Sequence, residues 1–299
     1  MFMVIVNIQG GLGNQMFCYS FGKWLENNGV SVKYNIDKYN VDNKNSKTDA
    51  IHNGYELERI FNIKLNYAEN SEYKKMLDES SDIFNRIRRR LFGTKSSYIS
   101  WYYLGNKNWY HEEFLNKDKV YYDGFWCSFK YADHIKNQLM HTFVFPIDTN
   151  ALNLSIKAKI QGTESVSVHI RHGDYLKLSD MYCVLEKTYY IEAIEYLRSR
   201  VGQNVKFFCF SDDVEWCKKE FQEYDFTYID WNYGEESYRD LELMSLCKHN
   251  IVANSTFSMW AAWLNKNKKK TVIRPKRTYV YEKDEWVDMW PTDWIMIEN

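Results

Sequence analysis

The feature that most constrains the fold is a regular alternation of β-rich and helix-like segments after about residue 150. Each run of β-branched and aromatic residues is followed by a stretch with apolar residues at helical spacing. The predicted strands are "SVSVHI", "VKFFCF", "FTYID", "NIVAN" and "TVIRP", and the predicted helices are 188–200, 214–221, 237–247 and 256–264. Strands that alternate with helices of this size form parallel βαβ units, so the pattern predicts a doubly wound α/β sheet.

Another βαβ unit opens the chain. "MVIVNI" predicts a strand, "QGGLGNQ" a loop, "MFCYSFGKWLENNG" a helix that ends at Gly29, and "VSVKYNI" a second strand. We therefore expect two nucleotide-type α/β domains, residues 1–150 and 151–299, facing each other across a cleft. The boundary is expected between Pro146 and Leu154.

The stretch between residues 40 and 150 has a weaker pattern. It is strongly polar at 41–49, and helices are expected within 70–92. There, "IFNRIRRRLFG" places Ile83, Ile87 and Leu91 on one helical face, and the arginines at 86 and 88–90 occupy the rest. Such a helix can lie on an anionic membrane or an anionic acceptor, although a solvated surface helix is the commoner case.

Composition excludes several classes of protein. The 299 residues include 39 basic and 40 acidic side chains, a formal net charge of -1, so no overall field favours nucleic acid. Aromatic residues make up 17%, and we expect most of them to fill the core. The six cysteines include no C-x-x-C pair, and no run reaches 18 apolar residues. The first apolar run lacks the basic flank of an export signal, so a cytoplasmic enzyme or binding protein is expected.

Four predicted strands deliver polar or glycine-rich loops at their carboxyl ends, which meet at one edge of a parallel sheet. The loop residues concerned are His169, Arg171, His172 and Asp174; Ser211, Asp212 and Asp213; Asn254, Ser255, Thr256 and Ser258; and Gly10, Gly11, Gly13 and Asn14. Convergence of several such loops predicts a binding site.

These groups suit a nucleoside diphosphate. Arg171 can form a bidentate contact with phosphate oxygens, and the helix that "NSTFS" begins can bind an anion at its N-terminus. Asp213 can accept from the two N–H donors of a guanine edge, while Phe257 can pack against its ring. Each has a structural alternative, since Ser255 could be only an N-cap, Asp213 part of a turn and Phe257 a core residue.

No metal or cofactor site is expected. No aspartate has another aspartate two positions later, and His169 and His172 lack a nearby carboxylate or cysteine signature for a metal. The glycine loop has Met16 where a dinucleotide-binding loop has its third glycine. Gly11 still permits close approach of a ligand, and Asn14 adds amide donors.

Four motifs together, "QGGLGNQMFCYSFG", "VHIRHGDY", "FSDD" and "NSTFSMWAAWL", resemble those of bacterial α-1,2-fucosyltransferases of glycosyltransferase family 11. The resemblance implies a GT-B-like architecture of two Rossmann-like domains and metal-independent, inverting transfer from GDP-β-L-fucose. The expected acceptor is the 2-hydroxyl of a terminal β-galactoside in an oligosaccharide or glycan. Alternatives are another linkage or acceptor, a related guanine-linked sugar, or a GDP-sugar-binding protein without transfer activity.

The resemblance also implies roles for individual residues. Arg171 would grip the diphosphate, and His169 and Asp213 would approach guanine. The helix-start hydroxyls of Ser255, Thr256 or Ser258 would contact phosphate.

The sequence departs from the family pattern at one position, where His172 stands in place of a second arginine. From position alone, Asp174 is the first candidate for a catalytic base and His172 the second. We expect a cytoplasmic carbohydrate-metabolism enzyme of O-antigen type, with peripheral contact to a lipid-linked glycan at the inner membrane face left open.

Overall fold

The computed structural model of the chain describes residues 3–40, 52–80, 82–101, 109–281 and 288–299. The polar stretch at 41–49 lies outside the described residues. The chain divides into two compact units. Of the described residues, 3–40, 54–144 and 288–290 belong to the N-terminal unit, and 52–53, 145–281 and 291–299 belong to the C-terminal unit.

The N-terminal unit is built on a parallel sheet in the order β2-β1-β4-β3. Its strands are β1 (Met3–Asn7), β2 (Ser31–Asn35), β3 (Tyr98–Ser100) and β4 (Val120–Asp123). Val4 on β1 lies opposite Val32 on one side and Val120 on the other. The strand order reverses between β1 and β4, as it does at the binding crevice of doubly wound sheets.

Helix α1 (Leu12–Asn27) connects β1 to β2 and begins four residues before the predicted start at Met16. The prediction of a loop over 9–15 was therefore wrong for its second half. Gly10, with φ +76°, makes the turn before the helix. The buried Gln15 side chain then accepts from the Glu56 backbone N–H at 2.9 Å and donates to the Gly10 carbonyl at 3.0 Å, which fixes the first helical turn.

Short helices complete the described part of this unit. They are α2 (Asp37–Asn40), α3 (Leu57–Phe61), α4 (Asn70–Tyr73), α5 (Ile83–Phe92), a 3-10 turn at Glu112–Asn116, α6 (Phe129–His134) and α7 (Lys136–Thr142). Phe21 on α1 packs against Tyr122 and Trp126 with ring centroids 5.1 and 5.0 Å apart. All three rings are buried, so the aromatic residues here fill the core as expected.

The C-terminal unit contains a parallel sheet in the order β10-β9-β8-β5-β6-β7. Its strands are β5 (Ser165–Ile170), β6 (Lys206–Ser211), β7 (Phe226–Ile229), β8 (His249–Ile251), β9 (Val272–Pro275) and β10 (Ile295–Ile297). From β5 the chain builds outward to β7 and then returns to place β8 on the other side of β5. The crevice expected for a ligand is therefore at the carboxyl ends of β5 and β8.

The helices of this unit cover the sheet between the strands. They are α8 (Ala151–Gln161), α9 (Gly173–Lys177), α10 (Lys187–Val201), α11 (Val214–Glu220), a 3-10 turn at Gly234–Glu236, α12 (Tyr238–Leu246) and α13 (Thr256–Leu264). The predicted helices and strands are confirmed here, and α13 has the predicted bounds. Strand β10, which was not predicted, adds to the edge of β9 with Ile295 opposite Ile273.

The α/β fold class is confirmed, with two units that are each built on a parallel sheet. The chain changes from one unit to the other between Val144 and Phe145, just before the expected boundary. Residues 288–290 return to the N-terminal unit, which the division at 150 did not anticipate. Among the described residues, no helix is long and apolar enough to cross a lipid bilayer.

Candidate active site

Arg171 lies directly after β5, which pairs with β6 on one side and β8 on the other. Its guanidinium forms an ion pair with Asp174 through Nη2, and its Nε lies 3.5 Å from the Asp212 carboxylate. Burial alone would lower the pKa of Arg171, but Asp212 and Asp174 raise it above its ordinary value. The side chain is 26% exposed, so it presents a permanent positive charge that a ligand can still reach.

Asp212 fastens the loop after β5 to the end of β6. Its two oxygens accept from the backbone N–H groups of His172, at 2.9 Å, and Asp174, at 3.2 Å. A Cβ on Gly173 would lie 3.3 Å from the Asp212 carboxylate, so glycine permits this close approach. Burial acts to raise the pKa of Asp212, but Arg171 and these N–H groups lower it. The sequence analysis placed Asp212 among the converging loop residues but gave it no role of its own, although it is the first aspartate of "FSDD".

The two carboxylate oxygens of Asp174 have different environments, and Oδ2 forms the ion pair with Arg171. The Oδ1 atom is buried and has no hydrogen-bond partner among the described residues. Burial raises the pKa of this carboxyl, and the opposing effect of Arg171 does not cancel the increase. A carboxylate with a raised pKa and a free oxygen is suited to accept a proton.

His169 lies near the end of β5 and is 4% exposed. Burial, together with the neighbouring positive charge of Arg171, lowers the pKa of His169 to about 3. The imidazole is therefore neutral at physiological pH, and its buried Nδ1 has no hydrogen-bond partner. The ring of Phe257 lies 6.0 Å away between centroids, at an angle of 42°.

His172 and Asp213 interact with each other. The Nδ1 atom of His172 lies 2.9 Å from Oδ2 of Asp213. The other Asp213 oxygen accepts from the Trp216 backbone N–H at 3.2 Å and so caps α11. The His172 ring stacks on the Trp216 indole with centroids 4.0 Å apart and planes 16° apart. The Asp213 side chain remains 32% exposed.

The start of α13 follows β8. Ser255 is the N-cap residue, but its side chain makes no capping hydrogen bond. The Ser258 hydroxyl is buried and points to the backbone carbonyls of Ser255, at 3.3 Å, and Ala253, at 3.5 Å. The Ser258 hydroxyl is therefore engaged by backbone carbonyls, which leaves Ser255 and Thr256 as the predicted hydroxyls for a ligand at the helix N-terminus.

Tyr175, which the sequence analysis did not name, and Asn254, which it named without a role, connect the segment after β5 to the loop after β8. The hydroxyl of Tyr175 donates to the backbone carbonyl of Asn254 at 3.0 Å. The Asn254 amide donates to the Cys183 and Thr278 carbonyls, at 2.8 and 3.0 Å, while its buried Oδ1 has no partner. Both residues lie within the quoted motifs, so their placement after a strand was a signal for them.

The expectation that all four loops meet at one sheet edge was wrong for the glycine loop, because β1 belongs to a different sheet from β5, β6 and β8. Gly11 and Asn14 lie in the N-terminal unit, whereas the other predicted site residues lie in the C-terminal unit. Gly11 is the N-cap of α1, and Asn14 is in the first turn. A Cβ on Gly10 would lie 2.6 Å from Nδ2 of Asn14, so the turn and this side chain are tightly packed.

The N-terminal unit has a polar cluster of its own where β1 and β4 end. Asp123 accepts hydrogen bonds from Asn7 Nδ2 at 2.8 Å, the Tyr98 hydroxyl at 2.5 Å and Lys38 Nζ at 3.1 Å. Burial would raise the pKa of Asp123, but Lys38 and these hydrogen bonds lower it. The prediction missed this cluster, although the aspartate that ends "VYYD" follows the same rule as the loops that were identified.

The sequence model of Glycosyl transferase family 11 matches residues 98–298, about two thirds of the chain. The chain belongs to this family. The prediction made from the four motifs is confirmed, and the protein is a glycosyltransferase.

Two bacterial relatives of this family 11 enzyme match it over all or nearly all of its length, and a human relative matches about half of it. The alpha-1,2-colitosyltransferase of Escherichia coli is 33% identical over 100% of both chains. The O-antigen biosynthesis glycosyltransferase WbnK of Escherichia coli is 32% identical over 94% of this chain and 99% of its own. Human galactoside alpha-(1,2)-fucosyltransferase 1 is 26% identical over 55% of this chain and 48% of its own.

Among solved structures, fucosyltransferase NodZ from Bradyrhizobium is similar with a TM-score of 0.46 and 12% sequence identity. The match covers 87% of the family 11 chain and 91% of NodZ.

Among the described residues of the family 11 enzyme, no three His, Cys, Asp or Glu side chains are grouped so that they could hold a metal ion. Metal-independent transfer remains a prediction, to be tested by chelation.

Proposed function

We propose that this enzyme transfers L-fucose from GDP-β-L-fucose to the 2-hydroxyl of a terminal β-galactoside, with inversion at the sugar carbon. The observation that carries the proposal is a permanently charged Arg171 together with three buried polar atoms at the ends of β5 and β8 that have no hydrogen-bond partner among the described residues: His169 Nδ1, Asp174 Oδ1 and Asn254 Oδ1. Buried polar groups without partners are costly and rare in folded proteins, so several at one strand edge favour a ligand site.

The diphosphate would bind Arg171 and the N-terminus of α13. Asp174 and Asp212 engage the Nη2 and Nε atoms of the guanidinium, which leaves further N–H donors, including those of Nη1, for phosphate oxygens. The N–H groups and dipole at the start of α13 favour an anion, and Ser255 and Thr256 add hydroxyl donors there.

The guanine would contact His169, Asp213 and Phe257. The neutral ring of His169 can exchange a hydrogen bond with the base. The Asp213 carboxylate is partly exposed and can accept from the N–H edge of guanine. Its two oxygens would then contact guanine in addition to His172 and the backbone N–H at the start of α11.

His172 supports Asp213 in this proposal. Its contacts are with Asp213 and the Trp216 ring, so it orients the carboxylate.

In the proposed reaction, the bond between the fucosyl carbon and the β-phosphate oxygen breaks ahead of attack, which gives an oxocarbenium-like sugar. Arg171 and the α13 N-terminus stabilise the negative charge that develops on GDP. The acceptor 2-hydroxyl forms the new bond from the opposite face of the sugar. Its proton passes to Asp174, whose raised pKa and buried Oδ1 without a hydrogen bond to the described residues suit a base.

A second donor is favoured by the colitosyltransferase relative, which is 33% identical over the whole chain. Colitose is fucose without its 3-hydroxyl, so the two donors present the same GDP group to Arg171. A site that hydrogen-bonds the 3-hydroxyl would discriminate against the deoxy sugar by about 10⁴-fold, while an apolar site would discriminate little.

We propose that the acceptor is a galactose-containing glycan, since one relative is named as a galactoside fucosyltransferase and another as an O-antigen glycosyltransferase. The near-neutral formal charge offers no support for nucleic acid as a partner. A lipid-linked acceptor would place the reaction in the cytoplasm at the inner face of the membrane.

The decisive experiment incubates the enzyme with GDP-fucose, GDP-colitose, GDP-mannose or UDP-galactose, with lactose or N-acetyllactosamine as acceptor. The proposal expects a fucosylated product whose NMR spectrum shows an α-linkage to O2 of galactose. Transfer of colitose alone would replace the donor, and a linkage to another hydroxyl would overturn the acceptor position. GDP-fucose binding without transfer or hydrolysis would instead indicate a binding protein.

A further inference from the structure

The helix α5 presents its apolar side chains to solvent. Ile83, Phe84, Ile87 and Leu91 are 67%, 82%, 52% and 68% exposed. At about 100° per residue these four positions form one stripe along the helix. A surface helix of a globular protein normally turns such a stripe toward the core, so α5 is inverted. The expectation of an ordinary solvated surface helix does not account for the exposure of this apolar stripe.

The charged face of α5 holds the helix to the protein. Arg88 forms an ion pair with Asp78, whose side chain is 1% exposed. Arg89 donates to the Asp78 carbonyl at 2.9 Å and the Ser80 carbonyl at 2.6 Å. Asp82 caps the N-terminus by accepting from the Asn85 backbone N–H at 2.9 Å. These contacts fix the orientation in which the apolar stripe faces outward.

The remaining arginines border the stripe. Arg86 and Arg90 are exposed and lie on one side of it, and the partly exposed Arg88 lies on the other. The sequence of α5 contains no acidic residue. An apolar stripe flanked by guanidinium groups is complementary to a surface that has an apolar layer beneath a layer of phosphate groups.

We propose that α5 is an interfacial helix that binds an anionic phospholipid bilayer. The apolar stripe would enter the boundary between headgroups and acyl chains, while Arg86 and Arg90 would contact lipid phosphates. Ten residues of helix measure about 15 Å, half of the roughly 30 Å hydrocarbon core, so α5 lies in the surface and does not span it.

Charge favours lipid over a protein partner. A protein interface that covered the stripe would also bury the flanking arginines and would have to supply carboxylates for them. Lipid phosphates can contact these arginines at the boundary with water, because long side chains extend from the apolar layer to that boundary. The proposal depends on neither the donor nor the linkage proposed above, and its test uses no enzymatic readout to establish binding.

The test is sedimentation of the full chain with vesicles of phosphatidylcholine alone or mixed with phosphatidylglycerol. We expect binding to the mixed vesicles that decreases with salt. The double variant Phe84→Ser/Leu91→Ser should lower partition on the order of a hundredfold, because it removes two large apolar side chains. The double variant Arg86→Gln/Arg90→Gln should lower it on the order of tenfold or more, and only on anionic vesicles.

Matched controls come from the C-terminal unit. Lys268→Gln/Lys269→Gln removes the same charge from an exposed loop, and Ile147→Ser/Leu152→Ser removes exposed apolar side chains, 91% and 55% exposed, outside α5. Both controls should bind vesicles like the parent protein, and all variants should keep its melting temperature.

Three results would overturn the proposal. They are failure of the parent protein to bind mixed vesicles, equal vesicle binding by the Phe84→Ser/Leu91→Ser variant, and a dimer in light scattering that this variant dissociates. The last result would assign the stripe to a second copy of the chain.

Discussion

The guanidinium of Arg171 forms an ion pair with the carboxylate of Asp174, three residues further along the same loop. The pair has two consequences. It holds the cation at the crevice between β5 and β8, and it leaves the second Asp174 oxygen buried without a partner. A charge for a leaving group and an acceptor for a proton are therefore provided by one loop.

Arg171→Gln should lower turnover with GDP-fucose by about a hundredfold or more, because the developing charge on GDP loses its cation. Steady-state kinetics measures this change. The matched control is Arg200→Gln, which removes an exposed arginine at the end of α10 and should leave kcat and KM unchanged. A variant at 171 with near-parental turnover would remove the arginine from the mechanism.

Asp212→Asn should lower kcat about tenfold, because one of the two carboxylates that hold Arg171 and its loop loses its charge. Asp225→Asn is the control, since that side chain is 90% exposed and pairs with Lys206 at the surface. A positioning role predicts that Asp212→Glu recovers part of the activity. No loss of activity in Asp212→Asn would show that the loop is held without this charge.

The pH profile of transfer tests Asp174. A base acts when deprotonated, and the pKa of Asp174 is raised above its ordinary value, so kcat should fall as pH decreases through this raised pKa. Asp174→Asn should have a lower kcat at every pH, and its remaining activity should no longer fall as pH decreases through this range. A profile with the same acidic limb in the variant would assign the titration to another group.

Asp240 on α12 should make stability depend on pH. Burial raises its pKa to about 7, although Asn232 donates a hydrogen bond to it at 2.8 Å. Between pH 4 and 7, roughly, the folded protein then binds more protons at this site than the unfolded chain, so stability falls as pH rises.

Asp240→Asn should remove this fall and raise stability at pH 8 by about 2 kcal/mol, roughly half of the full pKa difference because the residue is only partly buried. At pH 4.5 the two proteins should unfold alike. Thermal unfolding across this pH range measures the difference, and a parallel pair of stability curves would contradict it.

Turnover should be unchanged by EDTA, because Arg171 and the α13 N-terminus are proposed to carry the charge of the leaving group. The control is a metal-dependent glycosyltransferase inhibited in the same buffer. Loss of activity that manganese restores would contradict the metal-free proposal.

The sequence predicted the elements of the C-terminal unit well because their signals are local. Helix α13 has apolar residues at helical spacing after a serine-rich start, and β5 is a run of β-branched residues, so both were found. Strand β10 is three residues long and exists because the edge of β9 offers partners, which no local pattern shows.

Side-chain pairing was harder to predict than position. The rule that polar residues follow parallel strands placed His169, Arg171 and Asp213 at the sheet edge. It did not show that Asp212 binds the loop of Arg171, or that Asp213 pairs with His172, because the pairing depends on how β5 and β6 are aligned. The sequence also did not show that the apolar stripe of α5 faces solvent, because this orientation depends on the ion pair between Arg88 and Asp78, which lies before the helix.

The most direct test of the central claim is a crystal structure of the enzyme with GDP. The account predicts that the β-phosphate lies within about 3 Å of the Arg171 guanidinium and of the N–H groups that begin α13. A diphosphate bound elsewhere, with neither group in contact, would contradict it.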